Sequence, residues 1–214
     1  DFIIVTAPEF KEQADSLAQL HREYDGITVN VATTTQVYNE FSSGTKDFLA
    51  IRELARMLYN KYSSQGKAPK NILLFGDGTF DNKNILGANN NFIPTYQSQN
   101  SIIDAGTSYT TDDVIGYLSP YSKGAINDTL KIGIGRITCN NTAEANLILD
   151  KCRRYITKQD LAEGRLGSWR NNITLTADDA DTWGERYFID NAETIYYEIK
   201  ETNPILNVEK IYSD

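Results

Sequence analysis

Asn71-Ile-Leu-Leu-Phe-Gly-Asp-Gly-Thr-Phe-Asp-Asn82 is the stretch that decides the fold of this chain. Its apolar half predicts a short buried strand, and the Gly/Asp half is typical of a loop that leaves the end of such a strand. The same pairing recurs from Tyr109-Thr-Thr-Asp-Asp-Val-Ile-Gly116 to Lys131-Ile-Gly-Ile-Gly-Arg136. Both stretches therefore indicate buried strands whose loops can hold polar chemistry at the edge of a sheet.

Strands and helices alternate on both sides of these stretches. Thr45 is the predicted cap of one helix, and Asn141 with Glu144 forms a capping box at the start of another. We predict strands at 2–6, 27–32, 72–75, 131–137, 172–177 and 208–212, and helices at 8–25, 47–62, 141–158 and 185–201. This alternation predicts an α/β fold with a mostly parallel sheet flanked by helices.

The sequence also suggests where the chain divides. Residues 1–162 form a first α/β subdomain in this interpretation, and residues 163–214 form the opening strand–helix–strand of a second. Two strands and one helix are too little for an independent core. We therefore expect the second subdomain to be incomplete, and either to extend the first sheet or to open a domain that continues past Asp214.

Composition argues against two classes of protein. The 214 residues carry a formal net charge of −8, whereas a nucleic-acid-binding protein needs a concentrated basic face. The densest basic cluster, Lys151, Arg153 and Arg154, is explained by one solvated helical turn. No apolar run approaches the roughly 20 residues that span a bilayer, so we expect no transmembrane segment in this chain.

The two cysteines and the single histidine show no metal-ligand or catalytic spacing. Cys152 shares a helical face with apolar residues, and Cys139 follows a predicted strand, so both are predicted to be structural. A disulfide between them stays open at this stage. His21 lies on the apolar side of the first helix, where packing is the expected role.

Phe75-Gly-Asp-Gly-Thr-Phe80 invites comparison with the Asp-x-Asp-Gly-Thr loop of haloacid-dehalogenase phosphatases. That chemistry needs a nucleophilic aspartate two residues before the second aspartate, and Phe75 occupies that position. The phosphatase interpretation is therefore rejected, and no phosphate-binding glycine motif is present in its place.

Four carboxylates are expected near the carboxyl ends of the strands, where open α/β sheets place ligands: Asp77, Asp81, Asp112 and Asp113. Together with backbone carbonyls they could hold Ca²⁺, which takes six to eight oxygen ligands. The alternative is that Asp77 and Asp112 accept hydrogen bonds from turn amides, and the sequence favours that alternative. No cofactor is required by either interpretation.

A second acidic loop, Asp178-Asp-Ala-Asp181, follows the strand predicted at 172–177. Asp178, Asp179 and Asp181 could bind a cation, line a substrate cleft or cap the following helix. Capping is the default expectation for acidic residues just before a helix.

Taken in order along the chain, several segments resemble the gingipain-type (C25) cysteine peptidase family, and within it the PorU-type sortases of the type IX secretion system. The resemblance covers nearly the whole chain and combines several motifs in one order. These are Val37-Tyr-Asn-Glu-Phe-Ser-Ser-Gly44, Ala50-Ile-Arg52, Leu73-Leu-Phe-Gly-Asp-Gly-Thr-Phe-Asp81, Ile93-Pro-Thr-Tyr-Gln-Ser98, Tyr109-Thr-Thr-Asp-Asp113, Ile132-Gly-Ile-Gly-Arg136, Trp169-Arg-Asn171 and Thr176-Ala-Asp-Asp179.

This resemblance implies a caspase-like fold in two subdomains and cleavage of peptide bonds by a cysteine thiolate assisted by histidine. In the family, a Gly-His-Gly loop and the nucleophilic cysteine both come after the strand that corresponds to 208–212. No catalytic residue is therefore carried over to this chain, which we expect to be inactive by itself. A carboxylate that binds a basic substrate side chain in Arg-specific members has its loose counterpart within 185–188, which adds Glu185 to the cleft candidates.

The function that the resemblance implies is removal of C-terminal sorting signals from cargo proteins at the surface or outer membrane of a Gram-negative, Bacteroidetes-type bacterium. Expected partners are protein or peptide substrates and components of the secretion system. Two alternatives stay open. One is a secreted gingipain-like protease with general proteolytic work, and the other is a catalytically dead caspase-like module used for binding.

Overall fold

The computed structural model describes residues 1–98, 109–119, 129–165, 167–179, 184 and 186–213. It divides the chain into two compact units, Asp1–Thr157 and Lys158–Asp214. This division falls a few residues before the boundary predicted between residues 162 and 163. The assignment of the first unit as non-catalytic and the second as the start of a catalytic subdomain stays a prediction.

The first unit is built on a sheet of four parallel strands in the order β2-β1-β3-β6. Ile4 in the central strand β1 pairs with Val31 of β2 on one side and Leu73 of β3 on the other. Two further short strands, β4 and β5, pair antiparallel away from this sheet. The strands are β1 (Phe2–Thr6), β2 (Val29–Thr33), β3 (Asn71–Phe75), β4 (Tyr96–Gln97), β5 (Thr110–Thr111) and β6 (Gly133–Ile137).

Helices cover both faces of the four-stranded sheet, which confirms the predicted α/β architecture. The helices are α1 (Lys11–Leu20), α2 (Thr34–Phe41), α3 (Phe48–Ser63) and α4 (Thr142–Ile156). Short 3₁₀ turns occur at Pro8–Phe10 and Asp113–Gly116, and a π-helical turn at His21–Asp25 follows α1.

Alternate residues of the strands pack into two separate hydrophobic cores, one on each face of the sheet. Ile3 and Val5 of β1 join Ile51 of α3 in one core, while Ile4 joins Phe10 and Leu149 in the other. Because both faces of the sheet are covered, the central strands β1 and β3 read as nearly continuous apolar runs rather than as an alternation of apolar and polar residues.

Helix caps explain one success and two errors of the sequence analysis. Asn141 caps α4 by accepting a hydrogen bond from the Glu144 amide, as predicted. The predicted cap Thr45 is wrong, because the Asp47 carboxylate accepts from the Leu49 amide instead. Helix α2 was not predicted, although Thr33 begins it with a complete capping box. Its eight residues carry too short an apolar stripe for periodicity to reveal it.

One buried group on α2 has no partner. The Tyr38 side chain is buried, and its hydroxyl makes no hydrogen bond with any described residue. Burial, reinforced by the Asp47 carboxylate, raises the pKa of Tyr38.

Replacing Tyr38 by phenylalanine should therefore raise the free energy of unfolding, by about 1 kcal/mol, because an unsatisfied buried hydroxyl is removed. Urea unfolding followed by far-ultraviolet circular dichroism measures the change. The matched control is Tyr59→Phe, since the Tyr59 ring is only partly buried against the same core and should give no change. A loss of stability in Tyr38→Phe would show that the hydroxyl has a partner in solution.

The second unit contains two parallel strands, β7 (Asn172–Ala177) and β8 (Asn207–Tyr212), in which Ile173 pairs with Val208. Helices α5 (Gln159–Ala162) and α6 (Arg186–Thr202) and a 3₁₀ turn at Ser168–Asn171 complete the described part of this unit. Within the described residues, no helix has the length and apolar character needed to cross a membrane.

Polar contacts join α6 to β8. The Lys210 ammonium lies 2.9 Å from a Glu193 carboxylate oxygen, and the Tyr212 hydroxyl donates to the same carboxylate at 2.8 Å. Lys210 also stands 4.0 Å above the Tyr196 ring. The hydrogen bonds from Lys210 and Tyr212 lower the pKa of Glu193.

Candidate functional site

The loop that follows β3 crosses the carboxyl edge of the four-stranded sheet and is held there by main-chain hydrogen bonds. The Gly76 amide donates to the Ile137 carbonyl at 2.9 Å, and the Asp77 amide donates to the Cys139 carbonyl at 3.1 Å. Gly76 adopts a φ of +145°, a conformation that favours glycine. The Ile93 amide then donates to the Asp77 carbonyl at 2.9 Å and brings the returning chain back to the loop.

Arg136, on β6, connects the loops at this edge through polar contacts. Its guanidinium makes a two-pronged pair with Asp112, with Nε and Nη2 each 2.8 Å from a carboxylate oxygen. Its Nη1 donates to the carbonyls of Gly76 at 2.9 Å and Ile93 at 3.0 Å. One side chain that is largely buried therefore connects three segments distant in sequence, and bidentate geometry of this kind is specific to arginine.

Two more cationic side chains hold the same loops from helix α3 and the turn before it. Arg52 is buried and donates to the Tyr117 carbonyl at 2.7 Å and the Ser119 carbonyl at 2.5 Å. Lys46 donates to the Asn91 carbonyl. Cationic side chains aimed at main-chain carbonyls fix the path of a loop, because a buried carbonyl without a partner would cost free energy.

The structure does not assemble the four carboxylates of the predicted calcium site. The Asp112 carboxylate pairs with Arg136. The Asp81 carboxylate accepts hydrogen bonds from the amides of Ile85 and Leu86 at 2.8 and 2.6 Å. The Asp77 carboxylate accepts a hydrogen bond from the Gly78 amide at 2.9 Å. Asp113 is exposed. Within the described ranges no three His, Cys, Asp or Glu side chains could hold a metal ion together. The Asp77 contact agrees with the turn-amide interpretation, whereas Asp112 pairs with Arg136 instead of a turn amide.

The acidic loop of the second unit begins directly after β7. The Asp178 carboxylate accepts from the Asp179 amide at 3.1 Å and from the Ser213 hydroxyl at 3.3 Å. The other two cleft candidates, Asp181 and Glu185, lie outside the described residues. A substrate-cleft role for this loop therefore stays a prediction.

The two cysteines are free thiols, and the histidine contacts a carboxylate. Both thiols are free, with Cys139 fully buried and Cys152 half-buried, so the disulfide left open by the sequence does not form. Burial, with Glu144 and Asp77 nearby, raises the pKa of Cys139 to about 11. His21 contacts the Asp25 carboxylate at 2.6 Å and packs edge-on against the Phe2 ring.

We expect Cys139 to resist alkylation by iodoacetamide at pH 8, because only the exposed thiolate reacts. In urea, where the thiol is exposed and returns toward its ordinary pKa of 9.0, labelling should be at least about 100-fold faster. Mass spectrometry of the labelled peptide measures both rates, and equal rates would contradict the buried assignment. The raised pKa also implies a contribution to stability that is complete below pH 9 and is lost as the pH rises towards 11.

The sequence analysis missed the roles of Arg136, Arg52 and Lys46. Arg136 and Arg52 stand within quoted motifs, but neither motif contains the carbonyls that these two side chains hold. The acceptors of Arg136 lie 24, 43 and 60 residues away, so no local pattern could identify them.

Comparison with known proteins bears on the identity of this fold. A family model described as peptidase family C25 matches residues 1–214. Dimeric latent PorU from Porphyromonas gingivalis is 26% identical over 87% of this chain, with a TM-score of 0.63. The complex of Porphyromonas gingivalis RgpB pro- and mature domains is 17% identical over 100% of this chain, with a TM-score of 0.64.

A third solved structure, described as a protease, is 16% identical over 98% of this chain and has a TM-score of 0.64. No curated protein matches the sequence. The chain spans 20% of the PorU chain, 42% of the RgpB chain and 39% of the third. The likeness to the RgpB structure and to the third structure supports the fold alone.

Proposed function

Because this chain belongs to peptidase family C25, we propose that it is the N-terminal portion of a gingipain-fold cysteine endopeptidase that works as a type IX secretion sortase. The observation that carries the sortase assignment is the 26% identity with PorU, compared with 17% and 16% for the other two structures. A sortase of this kind removes C-terminal sorting signals from cargo proteins. It would act at the outer membrane or surface of a Bacteroidetes-type bacterium.

The catalytic cysteine and histidine are proposed to lie outside residues 1–214. Peptide cleavage needs a reactive thiolate beside a histidine, with backbone amides to hold the oxyanion. Cys139 is buried with a raised pKa, burial also raises the pKa of Cys152, and His21 is paired with Asp25. The match to only 20% of the PorU chain leaves room for the dyad elsewhere in the full protein.

In this proposal the first unit serves as a rigid support. Arg136 and Lys46 hold carbonyls of the loop that follows β3, and Arg52 holds the carbonyls of Tyr117 and Ser119. The acidic loop that begins at Asp178 is the part of the chain proposed to face a peptide substrate. Protein or peptide substrates and secretion-system components are the proposed partners.

The experiment compares residues 1–214 with the full-length gene product. Two substrates are offered: a cargo protein that ends in a C-terminal sorting domain, and casein as a general substrate. A variant of the full-length protein in which the cysteine after a Gly-His-Gly loop is replaced by alanine serves as the matched control. We expect residues 1–214 to cut neither substrate, and the full-length protein to cut the cargo at its sorting-domain junction.

Each alternative function predicts a different result. Cleavage of casein and of the cargo at many sites would support a general protease. A full-length protein that lacks the Gly-His-Gly loop and later cysteine, and that cuts nothing, would support a binding module. Cleavage by residues 1–214 alone would overturn the proposed location of the dyad.

A further inference from the structure

A cavity of about 610 Å³ opens at the amino ends of the strands, opposite the edge that carries the Arg136 loops. It lies between the start of β1, the edge strand β2 and the last turns of α3. Nothing in the proposed peptidase function uses this end of the sheet. Its volume falls within the range of ligand pockets, roughly 300–1,000 Å³.

One wall of the cavity is apolar. Leu54, Leu58 and Tyr62 recur at four-residue intervals along α3, so they line one side of the helix and face the cavity while remaining only half-buried. When an apolar ligand covers partly exposed apolar side chains in a concave wall, the removal of their surface from water stabilises the complex. The wall therefore suits the apolar body of a ligand.

The rim of the cavity carries several polar groups. Among the described residues, the Asn30 amide, the Tyr62 hydroxyl and the Lys67 ammonium have no hydrogen-bond or ion-pair partner. The carboxylate of Asp1 also lines the cavity, but it accepts from the Thr28 amide at 3.2 Å and lies 3.9 Å from the Lys70 ammonium. Lys67 is thus the cation of the rim that has no carboxylate partner.

We propose that this cavity binds an amphipathic carboxylate, with its apolar body against Leu54 and Leu58 and its carboxylate beside the Lys67 ammonium and the Asn30 amide. The volume has room for about twenty water-sized groups, which limits the ligand to roughly that number of heavy atoms. A medium-chain fatty acid and the free C-terminus of an apolar peptide share this chemistry. The proposal is independent of the peptidase assignment.

Isothermal titration calorimetry on the full-length gene product tests the site with decanoate and with the dipeptide N-acetyl-Leu-Phe. The neutral carboxamide of each compound is the control ligand. We expect saturable binding of at least one carboxylate with Kd on the order of 100 μM, and at least about tenfold weaker binding of its carboxamide. Tighter binding of decanoate would identify a fatty acid site, and tighter binding of the dipeptide a peptide C-terminus site.

Variants locate the binding. Lys67→Met should weaken carboxylate binding about tenfold and leave carboxamide binding unchanged, because Lys67 is exposed and its loss does not disturb the core. Lys151→Met, on α4 at the opposite sheet face, removes the same charge and should change neither. A diazirine-bearing decanoate should crosslink to the α3 peptide that contains Leu54 and Leu58.

Each of the following results would overturn the proposal. The first is absence of binding by both carboxylates at 5 mM, and the second is equal binding of carboxylate and carboxamide. The third is crosslinking elsewhere in the protein, or an effect of Lys67→Met no larger than that of Lys151→Met.

Discussion

Replacing Arg136 by methionine is expected to lower the free energy of unfolding of the first unit by about 3 to 5 kcal/mol, the range for breaking a buried ion pair. The substitution leaves the Asp112 carboxylate without its bidentate partner and frees the carbonyls of Gly76 and Ile93. Arg136→Lys should recover only part of the loss, because an ammonium cannot reproduce the planar fork. Urea unfolding followed by circular dichroism measures these changes.

The matched control is Arg153→Met. Arg153 is an exposed arginine paired with Asp150 at 3.3 Å, and surface pairs of this kind contribute about 0 to 1 kcal/mol. A loss below about 1 kcal/mol in Arg136→Met would show that the loops do not depend on Arg136. Adding Asp112→Asn to Arg136→Met should cost nothing further, because it removes the unpaired carboxylate. Stability losses that simply add would indicate that the two side chains act independently.

Hydrogen exchange provides a local test of the same substitution. Amides of the described loop segments that contact Arg136, near Gly76, Ile93 and Asp112, should exchange faster in Arg136→Met. Amides of the central strand β1 should remain protected, since its ladders with β2 and β3 do not include Arg136. Uniformly faster exchange through the sheet would instead indicate that the whole unit has been destabilised.

Replacing Gly78 by alanine is the substitution with the second-largest expected effect. A Cβ at this position would stand 2.6 Å from the Ile93 carbonyl oxygen and 3.2 Å from Arg136 Nη1. The first neighbour is main chain, and Arg136 holds that carbonyl in place, so relief requires the loop to move. We expect a loss of about 1 to 3 kcal/mol in the free energy of unfolding, as found for overpacked sites.

Gly135→Ala is the matched control for this prediction. Its added Cβ would lie 3.7 Å from a Leu73 methyl group, an ordinary contact, and Gly135 sits within strand β6. Chemical denaturation of the two variants should therefore separate them clearly. If Gly78→Ala is as stable as Gly135→Ala, the close approach of the loop to Ile93 does not exist in solution.

Local patterns in the sequence were enough to predict most of the strands and helices. An apolar run followed by a Gly/Asp loop located β3, an apolar run with glycines located β6, and the pairing of Asn141 with Glu144 located the start of α4. These signals work because burial period, capping and turn chemistry are encoded within a few residues. The ordered set of motifs also predicted membership of peptidase family C25, which the family comparison confirms.

Tertiary structure alone decided the roles of the polar side chains. Sequence spacing grouped Asp77, Asp81, Asp112 and Asp113 as one possible cation site. In the fold, Asp77 and Asp81 accept from separate turn amides, Asp112 pairs with Arg136, and Asp113 is exposed. Arg52 and Arg136 donate to main-chain carbonyls tens of residues away. Because every residue type carries a carbonyl, the sequence does not indicate which carbonyl accepts the hydrogen bond. The sequence determined which segments form the sheet, and only the fold determined which charges meet at its edge.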